Sequence, residues 1–196
     1  MGTQVITAHT ASRRIYELLM MPLATIATAN ATFAGQNFGA KRPDRIKAAM
    51  KQVMLLELAW SVLSVLLAWT MGIPLLRLLV GEASDMVIDN AILNLRVCTV
   101  FFFPLGALLV LRNAMQPMGY KIAPVISSTI ELAVKVLFCM ELVPRFGYWG
   151  VVVTEPIIWV LCAVFLGIVY LISGHRGKPV KEKERIKRVK MKEAKT

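Results

Sequence analysis

The feature that most constrains this chain is the run VVVTEPIIWVLCAVFLGIVYLI, residues 151–172. An apolar stretch longer than about 18 residues has the length a helix needs to cross a bilayer core. Further runs of this kind lie at about 15–38, 53–76, 91–111 and 122–143. Composition agrees: 57% of the residues are hydrophobic and 18% charged, against roughly half and a quarter in globular domains. The last run is too long for a signal-peptide core and lies at the wrong end of the chain. The sequence predicts an all-α polytopic membrane bundle of about five transmembrane helices over residues 1–174, followed by a basic tail over 175–196.

The net charge is +11, and ten of the 23 Lys and Arg residues stand in that tail with three Glu, so the tail alone carries 10 − 3 = +7. No aromatic side chains interleave these charges, which argues against nucleic acid as a partner. The tail reads as solvated and disordered, with an attraction for anionic headgroups, and the lipid bilayer is the expected partner. Basic residues accumulate on the cytoplasmic side of short loops. One side collects Lys41, Arg42, Arg45, Lys47, Lys51, Arg112, Lys121 and the tail; the other collects Arg13, Arg14, Arg77 and Arg145. The acidic loop GEASDMVIDN (81–90) falls on the second side. The expectation is a multi-pass protein of the cell (plasma) membrane, with its tail cytoplasmic and its N-terminus outside. An outside N-terminus without a leader reads either as a first span that inserts in reverse or, the reading favoured, as a chain that starts part-way through a larger architecture.

Enzymatic equipment is absent from the sequence pattern. Cys98, Cys139 and Cys162 are single and lie within apolar runs, and the histidines, His9 and His175, stand near opposite termini. That spacing offers no zinc or disulfide framework. GHRGKP at 174–179 lacks the spacing and hydroxyl of a phosphate-binding loop. No catalytic residue, metal or cofactor is expected. Pro22, Pro74, Pro104, Pro124 and Pro156 put one proline in or at the edge of each run, with Pro43, Pro117, Pro144 and Pro179 in loops or tail. Intramembrane prolines kink helices, as in transporters with broken helices.

Between the first two runs lies ATFAGQNFGAKRPDR (31–45). Gly39 suits the left-handed residue that ends a helix, and the following cations suit its negative end. Gln36 and Asn37, preceded by Ala31, Thr32, Ala34 and Gly35, are candidates for hydrogen bonds across a helix interface.

The longer segment ITAHTASRRIYELLMMPLATIATANATFAGQNFGAKRPDRIKAAM resembles the eighth helix and following loop of multidrug and toxic compound extrusion (MATE) transporters, where a GQN-GA turn precedes a basic loop. LRNAMQPMGYKIAPVISSTIELAVK and GYWGVVVTEPIIWVL resemble the tenth-to-eleventh and twelfth helices of bacterial MATE-like proteins. The resemblance implies a partial MATE-like fold, from an architecture of two six-helix bundles around a cavity. It also implies export of organic cations or other small amphipathic substrates by antiport, with a proton or sodium as coupling ion. The partner would be the missing N-terminal half. Readings kept beside it are a related flippase of lipid-linked saccharides and an inactive, truncated chain that only packs in the membrane.

Charges inside spans are expensive and mark pathways or partners. Glu57, Arg96, Glu131, Lys135 and Glu155 lie within the runs, with Glu17 and Glu141 nearer their ends. Glu57 is expected about 6 Å inside one face and Arg96 similarly inside the other, both able to snorkel. Glu131 and Lys135 share a helix face at the i,i+4 spacing, and Glu155 descends toward them on the next, antiparallel span. The substrate or ion pathway candidates are therefore Glu131, Lys135, Glu155, Gln36, Asn37 and Arg96. A structural ion pair at Glu131–Lys135 and a role in substrate or proton handling both remain open. The charge bias makes one expectation directly measurable. A single cysteine at Ser84 should react with an impermeant reagent in intact cells and one at Ala194 should not; the reverse pattern would invert the topology.

Overall fold

The structure, a computed structural model, describes residues 3–80 and 85–176; the basic tail lies outside the described residues apart from its first two positions. The described residues form seven helices and no strand: α1 (Thr3–Gly39), α2 (Pro43–Thr70), α3 (Gly72–Val80), α4 (Asp85–Val100), α5 (Phe102–Met115), α6 (Ile122–Phe146) and α7 (Tyr148–Arg176). Four stretches are long and apolar enough to cross a membrane, His9–Gly39, Pro43–Thr70, Ile122–Phe146 and Tyr148–Ile172. The pair α4–α5, bent by 53°, passes the same test of length and apolarity only when its two helices are taken together, as a broken span or a re-entrant loop.

Two of the expected spans are interrupted, and proline chemistry explains both. A proline has no N–H for the carbonyl four residues earlier, and its ring collides with that carbonyl. Pro74 stands four residues after Thr70, the last residue of α2, so the run expected over 53–76 stops there and α3 begins separately. Pro104 stands four after Val100, the last residue of α4, and the break falls at Phe101. Pro74, Pro104 and Pro124 thus sit in the first turns of helices, where a missing donor costs little, while Pro22, Pro144 and Pro156 lie inside helices. Pro144, expected in a loop, belongs to the last turn of α6.

The cap after α1 also differs from expectation. Lys41, not Gly39, takes the left-handed conformation, with φ 54°. Arg42 N–H donates to Asn37 O at 2.9 Å and Lys41 N–H to Phe38 O at 3.1 Å, the paired bonds of a Schellman cap. A matching cap closes α5: Gly119 (φ 89°) donates to Gln116 O and Tyr120 to Met115 O, both at 3.0 Å. The two caps lie at the same end of the bundle, because Gly35 packs against Pro117 so closely that a Cβ would come 2.9 Å from the proline ring.

Helix α2 turns most of its larger apolar side chains outward. On α2 the buried positions are Ile46, Met50, Glu57, Ser61, Ser64 and Ala68, while Leu55, Leu56, Leu58, Val62, Leu63, Leu66 and Trp69 are exposed. Lipid offers helices no hydrophobic drive to associate, so small and polar residues fill the interfaces. The cross-links fit that rule: Trp60 Nε1 donates to Leu19 O at 2.8 Å, Asn94 Nδ2 to Ser12 Oγ at 2.8 Å, and Tyr148 Oη to Asn90 O at 3.1 Å. Tyr16 of α1 packs edge-on to Phe102 of α5 and stacks on Trp159 of α7.

Glu57 overturns its expected snorkelling position. Because α2 begins at Pro43, Glu57 is fourteen residues into the helix, about 21 Å along its axis. It is buried to zero exposure, with both carboxyl oxygens lacking a hydrogen-bond partner among the described residues. Its carboxyl lies against Gly106 of α5, in the space a Cβ there would occupy. Gly106→Ala should therefore lower stability in detergent by about 1–3 kcal/mol. A Glu57→Ser background vacates the contested space and should return most of that loss. Equal melting of Gly106→Ala and the parent would contradict the packing.

Candidate functional site

A chain of six charges crosses the spanning helices. It begins where α5 continues past the expected span end and carries Arg112 inward. Arg112 Nη2 donates to Glu131 Oε2 at 2.8 Å and to Ser127 Oγ at 3.3 Å, joining α5 to α6. On the other side of Glu131, Lys135 Nζ lies 3.7 Å from Oε1. The same ammonium lies 3.6 Å from Glu155 Oε1 on α7. Glu155 Oε1 then lies 3.8 Å from Arg13 Nη1 on α1, and Arg13 Nε donates to Glu17 at 3.1 Å. Signs alternate at every step.

The members are not equally held. Arg112 and Glu131 have side chains 19% and 24% exposed and share a hydrogen bond; Lys135 is 42% exposed, and its contacts are longer than a hydrogen bond. His9 stands near Glu155 with its Nδ1 buried and unpartnered among the described residues. Helix geometry explains the alignment. Glu131 and Lys135 are one turn apart on α6, as are Arg13 and Glu17 on α1, a spacing that puts side chains on one face.

The structure thus brings Glu131, Lys135 and Glu155 together and adds Arg112, Arg13 and Glu17. Arg112 was counted as a loop cation because the apolar run ends at 111, yet α5 continues to Met115. Its signal was the antiparallel turn after α5, which returns α6 along it. Arg96 stands apart from the network, its guanidinium 4.9 Å from the centre of the Trp69 ring. Asn37 is buried, but its Nδ2 donates to Phe33 O in its own helix at 2.9 Å rather than across an interface. Gln36 is exposed, and its side chain makes no hydrogen bond among the described residues; its carbonyl accepts from Ala40 N–H at 3.0 Å.

The alternating charges link four helices, α1, α5, α6 and α7. The family model described as MatE matches residues 1–140. No curated protein and no solved structure matches the chain.

The inequality of the pairs predicts an unequal response to mutation. Glu131→Gln strands the Arg112 guanidinium and should cost about 3 kcal/mol or more in detergent stability. Lys135→Met breaks only loose contacts and should cost less than about 1 kcal/mol. Glu131→Leu combined with Arg112→Met should recover more stability than Glu131→Leu combined with Lys135→Met. Equal melting temperatures for the two double variants would show that Arg112 is not the principal partner.

Proposed function

The chain belongs to the MatE family of transporters, and from that premise we propose that it forms the C-terminal part of a secondary exporter of small amphipathic or cationic compounds. A proton or sodium ion moving inward would drive the export. The observation that carries this reading is the charge chain through Arg112, Glu131, Lys135, Glu155 and Arg13, part-exposed within helices long enough to span a membrane. Charges at such depth are rare unless they line a pathway or pair across helices. In this mechanism a carboxylate of the chain holds the coupling ion in one state and a substrate cation in the other. A second bundle, the partner half, supplies the opposite wall, and rocking of one bundle against the other opens the cavity to each side in turn.

The charge balance supports cationic cargo over a lipid-linked saccharide. An anionic headgroup calls for unpaired cations, whereas Arg112, Lys135 and Arg13 each face a carboxylate and Arg96, outside the chain, lies over the Trp69 ring. The plasma membrane is the proposed location, with the Lys41–Lys51 side and the tail cytoplasmic.

Reconstitution separates the parts of this proposal. The 196-residue chain in proteoliposomes should give no gradient-driven dye efflux. Joined to the first seven helices of a MatE-family transporter, it should export dye under a proton or sodium gradient. Efflux by the lone chain would remove the need for a second bundle. A folded chimera that binds cationic dye but never moves it would sink the export reading.

A further inference from the structure

The charge chain closes on itself electrically: Arg13, Arg112 and Lys135 give three positive charges, Glu17, Glu131 and Glu155 three negative, and 3 − 3 = 0. A substrate cation entering this chain brings its charge to +1 unless a resident cation leaves. The residents differ in how firmly they are fixed. Arg112 donates hydrogen bonds to Glu131 and Ser127 and is the least exposed of the three. Arg13 donates to Glu17. The Lys135 side chain makes no hydrogen bond among the described residues, lies 3.6–3.7 Å from two carboxylates on two helices, and is 42% exposed, more than Arg112 though less than Arg13. Its flexible stem can carry the ammonium outward while the guanidinium fork of Arg112 stays put.

From this geometry we infer that Lys135 is a tethered, exchangeable cation occupying the Glu131–Glu155 site, and that a cationic substrate binds there by displacing it. The inference rests on the export reading and deepens it. It assigns the binding position to the α6–α7 interface, where Glu131 and Glu155 flank the Lys135 ammonium. Glu131 Oε1 and both oxygens of Glu155 are then the acceptors for the substrate's charge, since Glu131 Oε2 is committed to Arg112. Lys135 sets specificity by competition: only a cation that satisfies both carboxylates at least as well as its ammonium gains the site. When the substrate leaves, the lysine returns and keeps the carboxylates paired.

The test uses the 196-residue chain in nanodiscs of zwitterionic lipid, with tetraphenylphosphonium as the probe. Lys135→Gln removes the competitor and should bind the probe roughly tenfold more tightly than the parent, the scale of two loose ion pairs. Adding Glu155→Gln should cancel the gain. In the unmutated chain, saturating probe should raise the rate at which Lys135 is acetylated by a small water-soluble acylating reagent, read by mass spectrometry. This second measurement stands whether or not the variants fold. Probe binding to the parent with unchanged Lys135 acetylation, or with no gain in folded Lys135→Gln, overturns the inference and leaves the export reading intact. Failure of both the parent and Lys135→Gln to bind the probe also overturns the inference, while the export reading stands or falls with the chimera.

Discussion

The hydrogen bond from Arg112 to Glu131 holds together what the rest of the bundle would not. α6 packs chiefly on α7 and touches α5 much less, and its outward residues Ile122, Val125, Leu132, Val136 and Met140 are exposed apolar side chains. In lipid such side chains give no reason for α6 to lie against any particular neighbour. A guanidinium facing a carboxylate across that interface does, because separating them strands two charges in a poorly solvating medium. Fixing Glu131 in this way also fixes which of its oxygens faces Lys135, and hence where Lys135 meets α7. The 2.8 Å bond thus ties α5 to α6, and the Lys135–Glu155 pair and the Cys162 Sγ contact to Ser127 O continue the link to α7.

Much of the architecture was legible because membrane helices announce themselves by length and apolarity. The pairing of Lys135 with Glu155 followed from antiparallel neighbours and a helical repeat. What escaped was decided by where helices start and stop. Apolarity does not distinguish a continuous span from two helices meeting at a break, and the break positions at Thr70 and Val100 depend on Pro74 and Pro104 four residues later. Arg112 was hidden by the same effect, since a polar residue just past an apolar run looks like loop even while the helix continues. Gly39 looked like the cap of α1 by residue type, but the chain made its left-handed turn at Lys41. The hydrogen bonds of a Schellman cap and the following Pro43 set that position, and the side chain at 41 tolerates it.

Glu57 shows the limit of reading depth from apolar boundaries. The run containing it was taken to begin near 53, whereas the helix begins ten residues earlier through the mixed segment PDRIKAAMKQ. That extension moves the carboxyl from the edge of the span to deep within the α2–α5 interface. It rests beside Gly106 because the glycine leaves a notch of the right depth, and Ser61 and Ser64 continue the same narrow face. The face is polar by composition, yet its role in the fold is close helix approach.

The two carboxyl sites embody opposite solutions to the same difficulty. Glu57 is enclosed against Gly106 with no hydrogen-bond partner for its carboxyl among the described residues. Glu131 and Glu155 lie among cations and are part-exposed. A site that exchanges ligands needs access to its acceptors and a resident that can leave without collapsing the helices around it. Arg112 meets the structural need by holding Glu131 whether or not the neighbouring position is filled. Lys135 meets the other, because its contacts are long and its stem is flexible. Dividing these tasks between a fork that stays and an ammonium that moves lets one carboxylate serve both the fold and the exchange of cations.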